Sequence, residues 1–284
     1  KCLENLFRTM IRPIIEYGNV IYDGAPDYQL KRLDRIQREA GLICTGAYKR
    51  TSDEHLLNEL GWEPLPLRRY RHKAFYMYKI QNKLVPKYLS DRCPPIISDV
   101  VGYNLRNQED VRLPPMRTET YRSSFFPSSI AIWNQLDLHI RSAPSLHVFK
   151  SLINLNPLYK PNKLYSSQTG RSSVHHTRIR LGLSGLNMHR YNYRFTDNNY
   201  CSHCPNISED EFHYFLSCPA YHDARAALLD GLQLLNIDTE FNTRTKRKNL
   251  LSLLINGNSD FTFDTNCEVF SLVQSFISST HRFV

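Results

Sequence analysis

The feature that most constrains this chain is Cys201-Ser-His-Cys204 followed by His213 and Cys218, a C-x2-C-x8-H-x4-C spacing. Two cysteines separated by two residues can grip one ion from a tight turn, and zinc favours a tetrahedron of thiolate sulfur and imidazole nitrogen. The second pair falls on a predicted helix. Ser208 and Glu211 have capping-box spacing, Phe212, Phe215 and Leu216 form its apolar side, and Pro219 follows its end. Cys201, Cys204, His213 and Cys218 are therefore the expected Zn2+ ligands, with His203 and His222 as alternative sources of the imidazole. Four protein ligands leave no open coordination position, so the expected zinc is structural rather than catalytic. A module this small has little core of its own, and the metal is expected to supply much of its folding free energy. The competing reading is three buried free cysteines beside a surface histidine.

At 284 residues, 41% apolar and 12% aromatic, the chain is expected to fold into two or three compact units. The sequence holds no apolar run long enough to span a membrane, and its amphipathic start at Lys1 is unlike a secretory leader. Seven cysteines without such a leader indicate a reducing compartment, so an intracellular place, cytoplasmic or nuclear, is expected. The net charge of +9 points to an anionic partner, and its distribution says more than its total. Between Asp137 and Asp197 there is no acidic residue, while Arg141, Lys150, Lys160, Lys163, Arg171, Arg178, Arg180, Arg190 and Arg194 fall in that span. A basic linker kept soluble by repulsion is the alternative to a polyanion-binding surface.

Hydrophobic spacing gives a mainly α chain. Leu3, Leu6, Phe7, Met10 and Ile11 form one helical stripe that ends near Pro13 and calls for a partner surface, expected upstream of Lys1. A second helix is predicted over 27–43, with Leu30, Leu33, Ile36, Ala40 and Ile43 inward. Thr51 and Glu54 have capping-box spacing for a short helix carrying Leu56, Leu57 and Leu60, which Gly61 terminates. The next runs over 65–84, with Leu67, Tyr70, Ala74, Met77, Ile80 and Leu84 on one side and Arg68, Arg69, Arg71, Lys73, Lys79 and Lys83 displayed on the other. Of these, Arg68, Arg69 and Lys73 are candidate phosphate contacts, against an ordinary solvated face. Pro94, Pro95, Pro114 and Pro115 bracket a connector. Helices resume after Pro127, with Ile130, Trp133 and Leu136 inward, and after Ser145, with Leu146, Phe149, Leu152 and Ile153. The expected organisation is a helical bundle over 1–92, a Pro-rich connector over 93–124 and helices over 125–155 that pack on the bundle. A basic linker over 156–173, a zinc-stabilised module over 174–236 and C-terminal helices over 237–284 complete it.

Just before the cysteines, Arg171, Arg178, Arg180, Arg190 and Arg194 interleave with Tyr191, Tyr193 and Phe195. Cations among aromatic rings suit single-stranded nucleic acid, since guanidinium groups meet phosphates and rings stack on bases. The bland alternative is a packed helix with Ile179, Leu181, Leu183 and Leu186 in its core. No catalytic set stands out. There is no aromatic-x-Asp-Asp run to hold the divalent ions of a polymerase, no Gly-rich phosphate loop and no nucleophile elbow.

Several runs carry a resemblance. Leu6-Phe-Arg-Thr-Met-Ile-Arg-Pro-Ile-Ile-Glu-Tyr-Gly18, Leu33-Asp-Arg-Ile-Gln-Arg-Glu-Ala40, Glu59-Leu-Gly-Trp62 and Ser124-Phe-Phe-Pro-Ser-Ser-Ile-Ala-Ile-Trp-Asn134 follow one another. Then come Arg178-x-Arg180, Gly182, Leu186-Asn187 and His189, the cysteine-histidine set, and a tail with Phe276-Ile277 and His281-Arg282-Phe283. In content and order these resemble the C-terminal region of non-LTR, LINE-type (jockey-like) retrotransposon reverse transcriptases. The resemblance implies a thumb over 1–92 that holds a template-primer duplex and a zinc region over 174–236 that binds RNA or DNA. Asn187 and His189 join the arginines and tyrosines as implied contacts, and an upstream palm domain is the implied intramolecular partner. Because the aspartates of that palm are missing from this sequence, the chain alone is expected not to polymerise. The competing class is a stand-alone zinc-containing interaction or adaptor protein derived from a transposon remnant.

Overall fold

The computed structural model describes residues 2–101, 107–153 and 170–283. Most of the linker expected over 156–173, with Lys160 and Lys163, lies outside them. The described chain is mainly helical, and its only extended pairings are isolated bridges between Ile96 and Val111 and between Tyr200 and Ser208. The principal helices are α1 (Asp27–Thr45), α2 (Asp53–Leu60), α3 (Leu65–Gln81), α4 (Phe125–Asn134), α5 (Leu146–Ile153), α6 (Arg171–Arg180), α7 (Asn187–Asn192), α8 (His222–Leu234), α9 (Arg244–Asn256) and α10 (Phe263–Ser279). Contacts divide the chain into two units: Cys2–Ala40 with Trp62–Lys160, and Gly41–Gly61 with Pro161–Val284. The segment 41–61, expected within the N-terminal bundle, thus belongs with the C-terminal residues.

The first unit is built around α3, which packs against α4 and α5. Met77, Tyr78, Ile80, Ile130, Trp133 and Phe149 form its core, with the Tyr78 and Phe149 rings stacked at 4.5 Å. Of the residues expected to face inward there, Ile130, Trp133 and Phe149 are buried, and Leu136, Leu146, Leu152 and Ile153 are partly buried against the same core.

The α3 cations are a correction. Arg69, Arg71 and Lys73 are buried rather than displayed. Lys73 Nζ lies 2.6 Å from Asp23 and Arg69 Nε 2.6 Å from the same carboxylate, while Arg71 pairs with Glu63 and Arg68 with Glu16. A buried cation must be paired or lose its charge; Asp23 and Glu16 lie too far away in sequence for periodicity to reveal them, and Glu63 lies just before the helix, outside its repeat. Arg68, Arg69 and Lys73 are accordingly engaged within the unit.

Two helix expectations near the N-terminus also differ from the structure. Pro13, which lacks an N–H, does not end the first helix. A π turn over Phe7–Ile11, closed by Arg12 N–H to the Phe7 carbonyl, absorbs it, and the helix continues over Arg12–Glu16. Phe7 is buried and stacks on Trp62 at 4.4 Å, whereas Leu3, Leu6, Met10, Ile14, Tyr17 and Ile21 stay exposed. In α1 the buried residues are Gln37, Gly41, Leu42 and Thr45, and Ile36 and Ile43 face solvent. Gln37 is held inward because its amide donates to the Glu63 carbonyl at 2.9 Å.

The second unit has a larger core running through Ile179, Leu186, Tyr214, Phe215, Leu228, Leu254, Phe270 and Phe276. Helix α10 packs against α6 and α8, and α9 packs against α6 and α10. Ser52, rather than Thr51, caps α2 by accepting from His55 N–H at 3.3 Å, and Thr51 is buried. Gly61 ends that helix as expected, at a left-handed φ of 60° that costs a glycine little. His176 is fully buried, and burial, with Arg180 second, pushes its pKa down to about 3.

Candidate metal centre

Tyr200 to Ser208 form a tight hairpin. Cys201 N–H donates to the Ile207 carbonyl at 2.8 Å, and Asn206 takes a left-handed φ of 61° at the bend. That turn brings Cys201 and Cys204 side by side. The other two donors come from the segment that follows, where the Asp210 carboxylate accepts from His213 N–H at 2.7 Å. Asp210 therefore caps it, in place of the expected Ser208 and Glu211 box.

The H-x4-C spacing has a geometric problem that the structure solves. In an α-helix at about 100° per residue, residues five apart point about 140° away from each other. Here His213–Ser217 is wound as a π turn, closed by Cys218 N–H to the His213 carbonyl at 2.7 Å, and both side chains reach one point.

Cys201, Cys204, His213 and Cys218 are all buried, and their donor atoms lie within 4.8 Å of one another. The Cys218 Sγ is 3.9 Å from both the Cys201 and Cys204 sulfurs. A tetrahedral ion with metal–sulfur bonds of about 2.3 Å requires sulfurs about 3.8 Å apart, so the spacing fits. Two further observations favour a cation. The His213 Nε2 is buried and has no hydrogen-bond partner among the described residues, and burial lowers the pKa of that imidazole, keeping it neutral as a ligand must be. Burial and the neighbouring thiols push the Cys218 thiol up to about 12, a cost that a metal ion removes by binding the thiolate. The cluster could thus hold one metal ion. His203 and His222 are exposed and outside it; His203 lies edge-on to Tyr221, and His222 bonds Asp223.

The cluster is not a small module with little core. Its three cysteines belong to the same continuous core as Phe215, Leu228, Phe270 and Phe276. A buried polar frame flanks it. The Glu209 carboxylate accepts from Asn187 N–H at 2.8 Å and from Arg282 Nε and Nη2 at 2.5 and 2.6 Å. His189 accepts from the Ser184 hydroxyl at 2.8 Å through Nδ1 and meets Glu211 at 2.6 Å through Nε2. Against the upward push of burial, His189 holds the Glu211 carboxyl below its usual range. A serine, histidine and glutamate in a chain invite comparison with a nucleophile triad, but the Ser184 oxygen also accepts from Leu186 N–H at 3.2 Å and is buried. It braces a turn. Sequence reasoning missed Glu209 and Arg282 as partners, since no periodic pattern links residues this far apart.

The expected nucleic-acid contacts separate into two groups. Arg171, Arg190, Tyr191, Arg194 and Phe195 are exposed. Arg180 is buried against Glu59 at 3.1 Å, and His189 is buried in the frame just described. Asn187 donates its amide to the Tyr200 carbonyl at 2.6 Å. Arg178 donates to the Gly46 carbonyl at 2.8 Å and lies 4.1 Å over the Tyr48 ring, while Tyr193 is half-buried. No family model, curated protein or solved structure matches the chain.

Proposed function

We propose that the metal is a structural zinc and that the segment it supports binds single-stranded RNA or DNA. The observation that carries this reading is the closed, buried Cys3His set, preceded in the sequence by Arg171, Arg190, Tyr191, Arg194 and Phe195, which all stand exposed. Thiolate and imidazole donors at this spacing suit zinc, and four of them leave no position for a reacting water. Exposed guanidinium groups meet phosphates, and exposed rings stack on bases whatever their identity.

In the wider reading, the chain is the C-terminal part of a LINE-type reverse transcriptase, acting inside the cell beside an upstream palm domain. Alone it carries no nucleotide transfer. In support, the Glu209 carboxylate is engaged by Arg282 and that of Glu211 by His189. A second reading, an interaction or adaptor protein, is favoured by one observation: Leu3, Met10, Ile14, Tyr17 and Ile21 form an exposed apolar run.

The test combines elemental analysis with titration of labelled single-stranded RNA and DNA at several salt concentrations. About one zinc per chain and an affinity that falls steeply with salt are expected. Zinc without any binding of nucleic acid would leave the adaptor reading in possession.

A further inference from the structure

One cleft in the second unit is not accounted for by the metal centre. It has a volume of about 520 Å3, within the range of about 300–1,000 Å3 usual for small-ligand sites. Its walls are aromatic: Tyr48 and Phe195 line it, as do His175 and Phe283, whose rings stack at 4.9 Å and 14°. Phe195 and Tyr48 are each backed by a cation, Arg50 at 4.7 Å and Arg178 at 4.1 Å, and both rings remain partly exposed.

The charge is equally one-sided. Among the described residues, no carboxylate lines the cleft. Arg282 lines it but is neutralised by Glu209, and Arg190 lines it without an ion pair among the described residues. Burial, then Arg178 and Arg171, lowers the His175 pKa, so at neutral pH that ring is a neutral stacking surface. Gly185 keeps the wall open: a Cβ there would come within 2.8 Å of the Phe283 ring and displace it.

A ligand complementary to these walls is planar and aromatic at one end and anionic at the other. We propose that the cleft binds a single nucleobase with its 5′-phosphate, the base against Phe195 and the His175–Phe283 pair and the phosphate on Arg190. Preformed rings cost little ordering on binding, which favours such a site. The inference deepens the nucleic-acid reading and takes its polymer from it: the nucleotide is an unpaired residue of a strand, or a free mononucleotide of the same chemistry.

The experiment uses the full chain with adenosine 5′-monophosphate, adenosine and a labelled single-stranded decamer, measured by calorimetry and anisotropy. The monophosphate should bind saturably, with adenosine at least tenfold weaker. Phe195→Ala should weaken the monophosphate and the decamer tenfold or more, Phe195→Trp should retain both, and Arg190→Gln should abolish the preference for monophosphate over adenosine. Phe195 is 49% exposed, so its replacement leaves the core intact. Salt-dependent decamer binding that ignores both substitutions overturns the cleft and leaves the nucleic-acid reading standing. Monophosphate binding that needs both residues, with no decamer binding, keeps the cleft as a mononucleotide site and overturns the polymer reading. Binding of neither ligand overturns both.

Discussion

Arg180 Nη2 lies 3.1 Å from the Glu59 carboxylate, and both side chains are only 6% exposed. The same guanidinium donates to the Ile255 carbonyl at 3.2 Å and sits 5.2 Å over the Phe270 ring. It is therefore a structural cation, although its sequence neighbourhood, an acid-free run of arginines, reads as a phosphate-binding surface.

Removing one member of such a pair strands a buried charge, at a cost of about 3–5 kcal/mol. Arg180→Met and Glu59→Gln should each lower the stability of the second unit by about that amount in urea denaturation. The double variant should recover part of the loss. Single variants that unfold at the wild-type midpoint would mean the two groups are not a buried ion pair.

His176 gives the stability a pH dependence of known sign. Its pKa, pushed down mainly by burial, is about 3 in the folded chain, against about 6.5 when unfolded. Between those values the unfolded state binds more protons, so stability is fully present above about pH 6.5 and falls as the pH drops towards 3. At pH 5 the loss from this one group is about 2 kcal/mol relative to pH 7.5. His176→Gln removes the titration, so its stability should fall less between pH 7.5 and pH 5 than that of the wild type. Equal falls in urea midpoints would place the origin elsewhere.

What was legible in the sequence was local. The cluster that could hold a metal ion was marked by donor type and spacing, and Gly61 and Ser145 mark helix boundaries by backbone chemistry. The buried faces were harder. In α3 and α1, Arg69, Lys73 and Gln37 go inside because Asp23 and the Glu63 carbonyl wait there, whereas apolar Ile36 and Ile43 stay out. Binary patterning assumes that charge means surface, and it fails wherever partners come from distant parts of the chain. The π turn at His213–Ser217 was equally invisible, since nothing in H-x4-C announces the extra residue per turn.

Because its cysteines are part of a larger continuous core, the metal centre should not control the whole fold. Chelation, or Cys204→Ser, should release about one metal ion per chain and raise amide exchange first in residues 199–217. The helical circular dichroism of α8, α9 and α10 should largely persist. Complete unfolding on chelation would restore the expectation of a module held by its metal alone.

The division of arginines into exposed and buried makes the nucleic-acid reading testable residue by residue. Single-strand binding loses about 0.7 of log-log salt slope per phosphate contact removed. Replacing Arg171, Arg190 and Arg194 together by Gln should therefore flatten the slope by about 2, because all three side chains are exposed. Tyr191→Ala should weaken binding by about 1–3 kcal/mol at unchanged slope if its exposed ring stacks on a base. Lys73→Met serves as the contrast: its charge is held by Asp23, so the slope should stay put even where stability drops. An unaltered slope in the triple variant would make the exposed arginines solvated decoration, and the exposed apolar run at Leu3, Met10 and Ile14 would then be the surface to pursue.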